Sequence, residues 1–232
     1  MQYLDQQALN AADHRAFQNA HPYPWSGLSQ LIHPDKYGEL VDTLPDSSLF
    51  TERFGKKRKF GQRSHDRLSL EYEPSLPLSA PWKTFIEELK SPDYIDFVKR
   101  MAGTSLLDLH FHWHYTPNGC SVSPHCDANR KIGSHIFYFN TEDDWDPAWG
   151  GDTLILDDEG KFSRRSNPEF KDFMSSQRAK ALGNNSLLFI RNGNSWHGVE
   201  EIKCPEGKYR KVFIVVINKV SVSKVVRKYL SV

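Results

Sequence analysis

The sequence predicts a mainly β fold, a jelly roll of two packed antiparallel sheets with helices over one outer face. Three observations predict it. From Leu106 onward the chain becomes a series of short alternating or apolar segments divided by Gly, Asn and Pro, the punctuation of an all-β region. Before that point apolar residues recur at helical spacing between capping signals. Aromatic residues reach 12%, which suits strands packed around an aromatic-rich interior.

The elements follow in order. Gln6 to Asn19 has helix-compatible composition, and His33-Pro34 to Leu44 predicts a short helix stopped at Pro45. Ser91-Pro92 supplies a cap followed by proline at the first helical position, and Gly103 supplies the stop. Between or beside them Leu89, Ile95, Phe97, Val98 and Met101 form an apolar stripe. The β region carries apolar strands at Ile136–Asn140, Ser186–Ile190 and Val212–Ile217. Asp157 to Asn185 is a charged, Ser-rich insertion, expected to be part loop and part short helix around 167–180. The expected organisation is one domain over 1–232: a helical cover over 1–104, a β core over 105–220 and a C-terminal extension over 221–232. Nothing Gly/Ser-rich at 104 marks a linker.

Composition narrows the function classes. The net charge of +1 gives no global field for nucleic acid or a membrane surface. No apolar run approaches the roughly 18–20 residues that span a bilayer. The N-terminus lacks the basic-then-apolar pattern of a signal peptide. Cys120, Cys126 and Cys204 are an odd count without Cys-x-x-Cys spacing, against both a disulfide framework and a zinc knuckle. A reducing, cytoplasmic setting is expected.

One constellation carries chemistry. On a strand, residues two apart share a face, so His125 and Asp127 would offer an imidazole and a carboxylate to one point, with Cys126 turned away. His197, from a distant strand, would complete two histidines and one carboxylate, the facial triad of non-haem Fe(II) oxygenases. Alone, His-x-Asp is a weak signal that far more often marks a satisfied histidine and a surface aspartate. Its neighbours strengthen it: Tyr115-Thr-Pro-Asn-Gly119, Ile136–Asn140, Trp149-Gly-Gly-Asp-Thr-Leu-Ile-Leu156, Asn194-Ser-Trp-His-Gly-Val199 and Gly207-Lys-Tyr-Arg-Lys211.

This succession, over roughly residues 105–220, resembles the 2-oxoglutarate/Fe(II)-dependent dioxygenases of the prolyl-4-hydroxylase-like group. The chain departs from their pattern in the spacing around Arg210 and in an extra residue, Thr153, before Leu154. The resemblance implies a double-stranded β-helix and the cofactors Fe(II), 2-oxoglutarate and O2. It implies His125, Asp127 and His197 as metal ligands, Arg210 as partner of the distal 2-oxoglutarate carboxylate, and Tyr115 near that cosubstrate. The implied reaction hydroxylates a prime substrate and releases succinate and CO2. The retained Asp127 sets the chain apart from related halogenases, which lack that carboxylate. Arg suits the anchoring role because its planar fork matches a carboxylate, and Lys211 should face the other way.

A small-molecule or amino-acid-like substrate is expected, and nucleic acid is not. A cupin-like metalloenzyme or a metal-binding jelly-roll module without 2-oxoglutarate is the alternative. If Tyr115 faces the barrel, then His110, His112 and His114 face outward as a polar surface. Residues 55–70, with the Lys56–Lys59 run, are expected to form a mobile basic loop near the mouth that would meet an acidic substrate. Asn129, Arg130 and Lys131 follow the His-x-Asp pair closely enough to reach a substrate or simply to form a solvated turn.

Overall fold

Two long strands, β4 (Leu107–Pro117) and β11 (Tyr209–Lys219), pair antiparallel from end to end in the computed structural model, which describes residues 1–220. Strand parity then divides their side chains. Phe111, Trp113, Tyr115, Phe213, Val215 and Ile217 fall on one face and enter the main apolar core. His112, His114, Thr116, Arg210, Val212 and Ile214 fall on the other.

Five strands extend this pair into a seven-stranded sheet. Its order is β1 (Trp25–Ser29), β9 (Asn185–Ile190), β6 (Lys131–Tyr138), β11, β4, β3 (Arg67–Glu71) and β2 (Thr51–Arg53). A four-stranded sheet faces it, in the order β5 (Val122–His125), β10 (Trp196–Val199), β7 (Thr153–Asp157) and β8 (Ser175–Ala179). The result is the expected jelly roll.

Five helices, α1 (Gln6–Ala11), α2 (His14–Gln18), α3 (Pro34–Asp42), α4 (Ala80–Leu89) and α5 (Pro92–Ala102), cover the outer face of the larger sheet. Trp82 of α4 is fully buried, its ring centroid 5.2 Å from those of both Trp113 and Phe213. Burying an aromatic side chain of this kind is worth about 1.5–3 kcal/mol. The α5 stripe buries Tyr94, Phe97, Val98 and Met101. Ser91 Oγ accepts from the Tyr94 N–H, and Gly103, at φ 64°, closes the helix in the left-handed conformation that glycine adopts without strain. No helix of the described residues is long and apolar enough to cross a membrane.

The structure corrects the sequence reading in four places. The segment 6–19 is two helices, because the Asp13 carboxylate caps the Arg15 and Ala16 N–H groups and starts α2 afresh. Residues 1–104 are not only a helical cover: β1 closes one edge of the large sheet against β9, and β3 and β2 extend the other edge from β4. Within 157–185 the expected helix is absent; β8 pairs with β7, and only a single 3₁₀ turn spans Phe170–Asp172. Residues 67–70 belong to β3 rather than to a loop. The C-terminal extension of 221–232 lies outside the described residues.

Two predictions follow from this packing. A Cβ on Gly133 of β6 would sit 2.2 Å from the Phe189 carbonyl oxygen and 3.1 Å from Ile190 Cα, so β6 and β9 would have to part. Gly133→Ala should cost at least the roughly 1–3 kcal/mol typical of overpacking, several degrees of Tm, whereas Gly27→Ala, with nothing within 4 Å, should cost little. Thermal unfolding of the pair checks this.

The second concerns His135, which is fully buried between Tyr94 Oη (2.9 Å from Nδ1) and Ser186 Oγ (3.0 Å from Nε2). Burial lowers its pKa to about 3. Below pH ~6.5 the unfolded chain therefore takes up a proton that the native state refuses, and stability falls as pH falls. Denaturant titrations of metal-free protein should show His135→Gln removing about 2 kcal/mol of the loss between pH 6.5 and 5.

Candidate active site

The two sheets enclose a cavity of about 360 Å³. Its walls follow from parity: His114 and Thr116 of β4, Ser134 and Ile136 of β6, and Arg210, Val212, Ile214 and Val216 of β11 come from the large sheet. The small sheet adds Val122, His125, Thr153 and His197.

His125 and His197 are direct partners across β5 and β10, with ring centroids 4.3 Å apart. Asp127 joins them, and the three ligating atoms lie within 4.8 Å of one another. No other such cluster occurs among the described residues. One detail differs from the sequence expectation: β5 ends at His125, so Asp127 reaches the site from the connection after the strand rather than by strand alternation. Each histidine places Nδ1 3.0 Å from the carbonyl two residues before it, Ser123 O for His125 and Ser195 O for His197. Donation through Nδ1–H leaves both Nε2 lone pairs directed at the cavity.

The electrostatics suit a cation. Burial, helped by His197 and His65 for His125, holds both imidazoles below their usual pKa, hence neutral. Burial alone would raise Asp127. The Lys131 ammonium, 2.8 Å from Oδ1, together with His197 and Arg58, outweighs it and keeps the carboxyl below its ordinary value. Asp127 Oδ2 is buried without any hydrogen-bond partner. An orphaned anionic oxygen beside two free imidazole nitrogens fits a divalent metal.

Arg210 lies on the cavity face, and Lys211, as expected, on the other, where its ammonium meets Asp144 Oδ2 at 2.5 Å. The Arg210 side chain is 5% exposed. Nε donates to Gly151 O at 2.5 Å, Nη2 donates to Thr153 Oγ1 at 3.0 Å, and the guanidinium lies over the Tyr138 ring. No carboxylate among the described residues forms an ion pair with it, so a buried guanidinium is left to receive an anion. The glycine pair before β7 makes this close approach possible. Gly151 has φ +106°, and a Cβ there would stand 3.4 Å from Arg210 Cδ. Thr153, the residue that breaks the family spacing, is the one that hydrogen-bonds both Arg210 and Tyr138 Oη.

Tyr115 does not join the site. It packs on the helix side against Phe50, at 4.3 Å between centroids, and its hydroxyl donates to Pro45 O at 3.2 Å. The β4–β11 register places Thr116, not Tyr115, opposite Arg210. The same parity turns His114, with His112 beside it, toward the interior, contrary to the outward reading. His65, whose ring lies 4.5 Å from that of His125, and the arginines Arg58 and Arg67 also line the cavity; they fall within the 55–70 stretch expected near the mouth, but the sequence reading does not single them out as site residues. Arg67-Leu-Ser-Leu-Glu71 carries a period-two signal that would have placed Arg67 opposite the two buried-side leucines; nothing local announces His65. Of the residues after the pair, Lys131 reaches Asp127, Asn129 accepts from Arg164, and Arg130 is exposed at the cavity rim.

The Arg210 cradle predicts a selective defect. Thr153→Val removes one charge-assisted hydrogen bond, worth about 1.5–3 kcal/mol, and, if Arg210 anchors 2-oxoglutarate as the resemblance implies, should weaken 2-oxoglutarate binding roughly tenfold or more. Tyr115→Phe should leave it unchanged. Calorimetric titration of 2-oxoglutarate into Mn(II)-loaded protein separates the two.

Comparison with known proteins agrees with this arrangement. The model of the 2OG-Fe(II) oxygenase superfamily matches residues 110–217. No curated protein matches the chain in sequence. A Trichoplax adhaerens prolyl hydroxylase, solved with a hypoxia inducible factor oxygen degradation domain peptide, aligns with TM-score 0.63 at 11% identity, covering 92% of this chain and 90% of its own. A Pseudomonas putida prolyl-4-hydroxylase aligns with TM-score 0.58 at 12% identity, covering 89% and 98%. EvdO2 from Micromonospora carbonacea var. aurantiaca aligns with TM-score 0.56 at 13% identity, covering 94% of both chains. At these identities the structures speak for the fold alone. The family match runs from β4 to β11 and takes in every cavity strand not contributed by residues 1–104; over these residues the chain matches the 2OG-Fe(II) oxygenase superfamily, and that match together with the His-Asp-His cluster identifies a dioxygenase dependent on Fe(II), 2-oxoglutarate and O2.

Proposed function

We propose that the protein hydroxylates a small-molecule or amino-acid-like substrate with release of succinate and CO2. In this reading His125, Asp127 and His197 hold Fe(II), and Arg210, supported by Thr153 and Gly151, receives the distal carboxylate of 2-oxoglutarate. The observation that carries the reading is a pair of buried, opposite charges in one cavity: Asp127 Oδ2 without a donor, and the Arg210 guanidinium, hydrogen-bonded only to neutral oxygens and in no ion pair among the described residues. A metal and a dicarboxylate are what such a pair would accept. A jelly-roll module that did not use 2-oxoglutarate would have no need of the second.

The bound metal, with 2-oxoglutarate and O2, supplies the oxidising power. The chain's residues do the rest. Ser123 O and Ser195 O fix the two imidazoles in one tautomer and orientation. Lys131 holds one Asp127 oxygen and leaves the other free. Ile136, Val212, Ile214 and Phe189 give the cavity apolar walls that exclude water from the reacting centre. A volume of about 360 Å³, shared with the cosubstrate, leaves room for one small molecule or one inserted side chain.

His197→Ala and Asp127→Gly should each lower Mn(II) affinity, read by electron paramagnetic resonance titration, by at least the ten- to hundredfold seen for lesser changes around metal sites. Both should stop succinate release while leaving the circular dichroism spectrum unchanged. Full iron-dependent turnover in His197→Ala would contradict the assignment.

A further inference from the structure

The cavity contains more positive charge than iron and 2-oxoglutarate require. Its lining includes Arg58, Arg67, Arg130, Lys131 and Arg210 against one carboxylate, Asp127. For a chain with a net charge of +1 this is a local concentration, not a reflection of composition. On the reading above, the two charges of ferrous iron cancel the two of 2-oxoglutarate. Lys131 is held by Asp127, Arg210 has its own cradle, and Arg130 is exposed. Arg58 and Arg67 remain.

Both are incompletely satisfied. Arg67 donates through Nη1 to His65 O at 2.7 Å, but its Nε is buried without a partner. The Nε of Arg58 is likewise buried without a partner. Neither forms an ion pair among the described residues. Arginine stays protonated, so each leaves a partly desolvated charge facing the cavity. Burial disfavours the charge on both, and Arg58 adds repulsion at Arg67. Holding two like charges together in this way costs stability unless an anion joins them.

Their placement separates them from Arg210. Leu68 and Leu70 of β3 turn to the core, so Arg67 turns to the cavity beside Thr116, the partner of Arg210 on the next strand but one. Two strand spacings put the backbones of Arg67 and Arg210 roughly 10 Å apart. Arg58 enters from the connection between β2 and β3 and borders a second, outer recess lined also by Lys57, Lys59 and Arg164. An anion held by Arg58 and Arg67 therefore lies between the solvent side and the histidine pair, next to His65 and His125.

We propose that Arg58 and Arg67 form the substrate-recognition site for an oxyanion, and that the molecule oxidised is a small carboxylate or a phosphate or sulfate ester. The site rests on the oxygenase reading only for the statement that its occupant is the prime substrate. Calorimetry on the full chain loaded with Mn(II) and one equivalent of 2-oxoglutarate tests it, with sulfate as the tetrahedral probe and N-acetylglycine as the carboxylate probe. Wild type should bind at least one of them, and the tighter probe identifies the group. Arg58→Gln and Arg67→Gln should each weaken that binding tenfold or more, with Arg58→Lys and Arg67→Lys intermediate and the exposed Arg15→Gln unchanged. Absence of binding in wild type, or equal binding in folded Gln and Lys variants, would overturn the site. So would a loss of 2-oxoglutarate affinity in Arg67→Gln larger than its loss of probe affinity, which would assign Arg67 to the cosubstrate. Failure of iron-dependent succinate release with the probe result intact would sink the oxygenase reading and leave the anion site standing.

Discussion

The pairing of β4 with β11 is the constraint on which the rest of the structure depends. It sets Val212 against His114 and Phe213 against Trp113 along eleven-residue strands, and parity then assigns every side chain to the helix layer or to the cavity. A slip of one residue would turn Phe213 into the cavity and carry Arg210 out among the helices. The aromatic packing of Trp82 and Phe85 on Trp113 and Phe213 resists that slip. The hydrophobic core and the polar site are therefore two faces of one register, and the apolar face enforces the polar one.

The cavity face is assembled against local stability. It buries a carboxylate oxygen without a donor, a guanidinium without an acid and two further half-satisfied arginines. Each is costly while unpaired. A surrounding jelly roll, with sheets tied by long pairings and a helix layer, tolerates these groups, and the binding free energy of metal and anions would offset them. The stress is placed where ligands relieve it.

Much of this was legible in the sequence because its signals are local and periodic. Turn residues after Leu106 give the strands, Ser91-Pro92 and Gly103 give α5, and the order of motifs around His125, Asp127, His197 and Arg210 points to one cavity. The failures share a cause: they depend on partners distant in sequence. The strands β1 and β2 are short and gain their structure from β9 and β3. Tyr115 and the histidines of β4 alternate correctly, but alternation alone does not say which face is inside; the contact with Phe50 and the register with Arg210 decide that. His65 comes near His125 by a loop path that no periodicity describes.

The central claim is that one cavity holds a metal at the His-Asp-His cluster and a dicarboxylate at Arg210. An anaerobic crystal structure with Mn(II) and 2-oxoglutarate, using anomalous scattering to locate the metal, tests it most directly. The account predicts an anomalous peak bound by Nε2 of His125, Nε2 of His197 and Oδ2 of Asp127, with the far carboxylate of 2-oxoglutarate on Arg210 and Thr153. A metal bound elsewhere, or 2-oxoglutarate seated on Arg58 and Arg67 with Arg210 empty, would contradict it.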